Sequence, residues 1–213
     1  MTFFRSVPPS RRLTPQEVLL LQELFGPALA TETVRVHGRS FLPGLAVPMA
    51  PFGTVYFPRR WFRDDYAILP ARDAGLTALR LFNTFVHEMV HVWQWQNGAC
   101  VAWRGALASL LQWPDRGRAY LYPLPDGVTL ANYGLEQQAS LLADYCTLCR
   151  WPNHPALLRL LMRDNLAASQ AATHPDGLAW LRARFEAVLA PFLSDPACYR
   201  GQPGCLGRIR PLR

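Results

Sequence analysis

The chain has 213 residues, half of them hydrophobic, and carries a formal charge of +7 from 22 basic residues, all arginine, against 15 acidic ones. That composition is able to bury a sizeable core and excludes disorder as the state of the whole chain. No stretch approaches the roughly 18 apolar residues of a membrane-spanning helix, and the arginines are scattered rather than interleaved with aromatics, which argues against a specific nucleic-acid partner.

The length suits one domain over residues 1–213, with a flexible N-terminus over 1–12 and a basic tail over 200–213. Met1 to Arg12 lacks the long apolar segment of a secretory signal. The expectation is synthesis in the cytoplasm, with any export using a specialised route that reads no such signal. The tail, with Arg200, Arg208, Arg210 and Arg213, reads as a solvated basic stretch.

The first helix should start at Thr14, an N-cap with Pro15 behind it, and stop at Gly26-Pro27. Val34 to His37 and Thr54 to Phe57 read as short strands separated by a Pro/Gly-rich loop. The second of them offers an edge on which an extended peptide could add as a further strand. A long helix then runs from near Gly75 to about Gln96, before Asn97-Gly98. Its apolar residues go most of the way round, so it is buried. On it, Trp93 is expected in the core, while Trp95 lies one turn beyond His91 on the same face. A short helix is expected over 100–112 and a long loop over 113–134. Three helices follow: Leu135 to about Arg150, Pro155 to about Gln170, and Pro175 to about Leu193. The fold class is therefore α+β, mostly helical, with a small sheet and one central helix.

The five cysteines are odd in number, which argues against a complete disulfide framework. Cys146 and Cys149 lie within a helical pattern and read as buried helix residues. Cys198 and Cys205 flank a Gly/Pro loop and could pair in an oxidising compartment.

The central helix carries His87-Glu88-Met89-Val90-His91. Residues four apart share a helix face, about 6 Å along the axis. His87 and His91 can thus present two imidazoles to one metal ion. Glu88, about 100° round the helix, is better placed to reach a water than to share the metal. This is the arrangement that H-E-x-x-H encodes: two zinc ligands and a general base. A catalytic zinc needs a third protein ligand and an open position. Glu136, at the start of the next strong helix, fits that need better than the next histidine, His154, which sits in an Asn-His-Pro turn.

Phe85 to Gln96 (FVHEMVHVWQWQ) and Tyr133 to Tyr145 (YGLEQQASLLADY) together resemble the gluzincin-type metallopeptidase domains of VgrG-related spike proteins of bacterial type VI secretion. The resemblance extends over about residues 52 to 150. It implies a zincin-like fold, Zn2+ on His87, His91 and Glu136, and Glu88 as catalytic base. It also implies an antibacterial effector, with a secretion-system or immunity protein as partner. Many gluzincins carry an aspartate four residues after the glutamate ligand, where it orients an imidazole. Here that position is Ser140, which would accept a weaker bond from an imidazole, and Asp144 is expected to brace helix packing instead.

The expected chemistry is hydrolysis of peptide bonds in a protein or peptide substrate through a zinc-activated water, with Glu88 as general base. Tyr120, Tyr122 and Tyr133 lie near enough in sequence to supply a donor to the oxyanion. Tyr133, one turn before Glu136, is the preferred candidate. The alternative is a zinc-binding module that acts by binding rather than by proteolysis.

Overall fold

The computed structural model describes residues 9–68, 75–99 and 119–200. Among the described residues nine main elements follow in order: β1 (Ser10–Arg12), α1 (Pro15–Phe25), β2 (Arg35–His37), β3 (Val55–Tyr56), α2 (Gly75–Gln96), α3 (Leu135–Arg150), α4 (Leu157–Leu161), α5 (Ala168–Ala171) and α6 (Gly177–Ser194). The architecture is α+β and mostly helical. Its sheet has three strands in the order β1-β2-β3, β1 antiparallel to β2 and β2 parallel to β3. Among the described residues no helix is long and apolar enough to cross a membrane.

At the start of the described residues Ser10–Arg12, expected within a flexible end, is a strand paired with β2, Ser10 opposite His37. The reason lies in Glu17, which is fully buried. Its carboxylate accepts two bonds from Arg11, both at 2.7 Å. It also accepts the backbone N–H groups of Thr14 and Tyr66. Thr14 completes the exchange by accepting from the Glu17 N–H. One capping acid thus ties β1, the first turn of α1 and the loop around Tyr66 together. The putting of positive charge beside the buried carboxylate is what makes that burial tolerable.

Helix α2 is the spine. Its Val86, Val90 and Phe85 have no solvent exposure, and Trp93 lies fully in the core against Phe25, Phe192 and Tyr199. Its most extensive packing is on α3. The helix expected over 155–170 is broken into α4 and α5. Between them the chain pairs with the loop at Tyr122, which donates its N–H to the Asp164 carbonyl and accepts from Leu166 N–H. Those carbonyl and amide groups are then lost to a continuous helix. Of the two helical cysteines, Cys146 is buried but Cys149 is exposed. The expected helix over 100–112 and the residue Cys205 lie outside the described residues.

The edge of β3 is not free for an added strand. Met49 bridges Tyr56 from outside, with N–H to carbonyl bonds of 3.0 and 2.8 Å in both directions. Next to it, the turn Pro51–Gly53 packs on α2. There Phe52 holds φ 53° and ψ 33°, a left-handed conformation that costs a residue with a side chain about 1–2 kcal/mol. Its exposed ring meets Trp95 edge-on at 5.4 Å. Phe52→Gly is therefore expected to be more stable than Phe52→Ala by about 1 kcal/mol, the reverse of the order on ordinary backbone. Chemical denaturation of the two variants measures this. An alanine variant as stable as the glycine one would mean that residue 52 leaves the left-handed region in solution.

Candidate metal centre

The first turn of α3 is what completes the cluster. Gly134 precedes the helix, and Gln137 accepts its N–H at 3.0 Å, which fixes the entry of the chain. Glu136 then sits in that first turn, where the helix dipole favours a negative charge. Because α3 packs across α2, Glu136 meets the two histidines. Its Oε2 lies 3.2 Å from His87 Nε2 and 3.2 Å from His91 Nε2. The imidazole rings are 4.8 Å apart and nearly perpendicular. One ligand atom from each of the three residues falls within 4.8 Å of the others.

Electrostatics follow from burial and from this crowding. Burial by itself would lower both histidines and raise Glu136. For His87 burial wins, and it is held below its ordinary value despite the bond to Glu136. For His91 burial is again the largest single effect, but the charge and hydrogen bond of Glu136, together with the charge of Glu88 and the bond to Gln94, outweigh it and lift the ring to about 9. The two imidazoles in turn hold Glu136 well below the usual carboxylate range. Glu88 is different. It is only 6 % exposed, and burial pushes it up to about 7. Its Oε2 is buried with no hydrogen-bond partner among the described residues. A buried carboxylate oxygen left without a donor is costly, so its retention beside the cluster calls for a chemical reason.

The donor set fits a metal ion. Two imidazole nitrogens and one carboxylate oxygen converge, which suits zinc and leaves room for a further ligand. Glu88 lies on the adjoining part of α2 and does not join the three.

The tyrosines fall out differently from the expectation. The Tyr133 hydroxyl donates to the Pro123 carbonyl at 2.7 Å, and the ring is buried. It is a packing residue of the loop. Burial raises Tyr133 against the lowering charge of Arg184, whereas the carboxylates of Glu136 and Glu88 both raise Tyr120, with Glu136 the largest cause. The Tyr120 ring lies 5.9 Å from that of His87. Tyr120 is therefore the tyrosine beside the cluster. Tyr122 turns away to donate to Asp144 at 2.6 Å.

Ser140 does not support an imidazole. Its hydroxyl is buried without a hydrogen-bond partner among the described residues. The residue that does reach a histidine is Gln94, whose Oε1 lies 2.8 Å from His91 Nδ1. Its signal in the sequence is its spacing, three residues after His91 and hence on an adjoining face of the same helix. Asp144 braces packing, accepting from Asn83 of α2 at 2.8 Å as well as from Tyr122.

No family model matches the chain. A stretch of 137 residues, 63 % of the chain, is 34 % identical to the type VI secretion system spike protein VgrG2b of Pseudomonas aeruginosa, and the match spans 13 % of that protein. Among solved structures, the effector domain of Pseudomonas aeruginosa VgrG2b is similar with a TM-score of 0.54 and 28 % identity, over 73 % of this chain and 83 % of that one. In sequence and in fold, the chain is similar to the effector domain of a VgrG-type spike protein.

Proposed function

We propose that the chain is a zinc-dependent endopeptidase of the gluzincin type with a zincin-like fold, acting as an effector of type VI secretion. The observation that carries the peptidase reading is the convergence of His87, His91 and Glu136 beside the unpartnered carboxylate of Glu88. Similarity to a VgrG2b effector domain supports the delivery route.

His87, His91 and Glu136 would hold the metal. Zinc there would supply Lewis acidity, polarising a carbonyl and acidifying water. Glu88 does the proton work. Burial brings its carboxyl near neutrality, the range in which one group both takes a proton and returns it. Its free Oε2 accepts the proton of the attacking water and then delivers it to the leaving amine. Tyr120, kept neutral by the nearby carboxylates, donates to the substrate carbonyl oxygen as that atom gains charge.

Proteome-wide cleavage profiling tests this reading. Lysate proteins treated with zinc-loaded protein should gain new termini. The same protein treated with a chelator should produce none, and restored zinc should bring them back. Stoichiometric zinc with no new termini would favour the binding-only module.

A further inference from the structure

The histidine at 91 is held by more than one amide. Gln94 and Gln138 are both fully buried. Gln94 Nε2 donates to the Leu135 carbonyl at 3.1 Å and to Gln138 Oε1 at 3.0 Å. Gln138 Nε2 donates to the carbonyls of Leu130 at 3.2 Å and Tyr133 at 3.0 Å. The series ends at His91 Nδ1.

An amide has one donor end and one acceptor end, whereas a carbonyl only accepts. This makes the series directional. The carbonyls of Leu130 and Tyr133 require the NH2 end of Gln138, so its oxygen must face Gln94. That oxygen and the Leu135 carbonyl require the NH2 end of Gln94. The oxygen of Gln94 must then face His91, and a flipped amide would set oxygen against oxygen at two contacts. Facing an acceptor, His91 Nδ1 must carry the hydrogen. The lone pair of the neutral ring is left on Nε2, the atom that points at Glu136.

We propose that Gln94 and Gln138 form a polarised amide relay, anchored on the backbone carbonyls of Leu130, Tyr133 and Leu135, that sets the His91 tautomer and thereby the metal affinity of the site. The proposal rests on the reading that His87, His91 and Glu136 hold zinc. Both glutamines are positioning residues and act through His91. The relay also joins the two ligand-bearing helices. Gln94 stands on α2, while Leu135 and Gln138 flank Glu136 on α3. A neutral amide does here what a carboxylate does where one backs an imidazole. It adds no charge of its own, so the imidazole's charge is met by the carboxylates of Glu136 and Glu88.

The test measures zinc affinity by chelator competition together with thermal stability. It adds NMR of isotope-labelled histidine in cadmium-loaded protein, where coupling to the metal identifies the bound ring nitrogen. Wild type should bind through His91 Nε2, with an Nδ1–H protected from exchange. Gln94→Leu should weaken zinc binding by about 10- to 100-fold. Gln94→Glu keeps an acceptor toward His91 but turns a second oxygen toward the Leu135 carbonyl. It should retain zinc affinity while losing stability, a separation that a purely structural role would not give. Gln138→Met, which frees Gln94 to rotate, should weaken binding by less than Gln94→Leu. If Gln94→Leu does not fold, the contrast between Gln94→Glu and Gln138→Met decides. Unchanged affinity in Gln94→Leu, or in Gln138→Met where Gln94→Leu does not fold, or cadmium on Nδ1 in wild type, overturns the relay alone. No zinc binding by wild type overturns the metal centre and the relay together.

Discussion

Glu88→Gln is expected to lower peptide cleavage by about 10²- to 10⁴-fold, the range of a lost general base, with zinc content unchanged. The substitution keeps the shape of the side chain and removes only its ability to take up a proton. Glu88 is not among the three converging ligand residues, so the metal should stay. The carboxylate is buried and one of its oxygens is unpartnered, so the neutral amide should cost little stability or add some. Lost activity with an undiminished melting temperature is thus the signature of a group kept for chemistry. Cleavage of a susceptible lysate protein, metal analysis and thermal unfolding of the same preparation give the answer. Full activity in a zinc-replete Glu88→Gln would rule out Glu88 as the base.

Asp144→Ala is expected to destabilise the fold by about 3 kcal/mol, because two buried donors lose their acceptor at about 1–3 kcal/mol each. Asn83 retains a longer bond to Thr147 at 3.2 Å, so the hydroxyl of Tyr122 bears most of the loss. Tyr122 also pairs with the chain between α4 and α5, so the damage should spread to that segment. Asp144→Asn should be much milder, since an amide oxygen still accepts from Asn83. The pH dependence separates the two forms. Burial pushes the Asp144 carboxyl up to about 7, against the lowering effects of Tyr122, Arg163 and Asn83. A folded value above the unfolded one, about 3.9, means that its stabilising contribution is full below about pH 4 and lost as pH rises to about 7. Across that window the stability of wild type relative to Asp144→Asn should fall by about 1.4 kcal/mol per pH unit at the steepest. Parallel denaturant titrations of the two proteins measure it. A difference independent of pH would mean that Asp144 stays ionised in the folded protein.

The helices were legible where the sequence carries local chemistry. Thr14-Pro15 and Gly26 bound α1, and Asn97-Gly98 follows the end of α2. Those signals act within a turn or two of the chain, so they can be read without the fold. The sequence is less legible where a distant partner outweighs a local preference. Arg11 lies in a stretch that reads as a loose basic end, yet Glu17 draws it into the sheet. Residues 162–167 carry helical pattern, yet pairing with Tyr122 breaks them.

The candidate centre divides along the same line. His87, Glu88 and His91 are set by helical spacing, which the sequence determines by itself. Sequence also singles out Glu136, but only the packing of α3 across α2 brings its Oε2 to both imidazoles. The surroundings were decided by tertiary structure alone. Tyr133 is turned aside by the Pro123 carbonyl, Tyr120 takes the place beside His87, and Gln94 rather than Ser140 supports His91. A hydroxyl or amide finds its partner among whichever groups the fold buries with it, and that choice has no period along the chain.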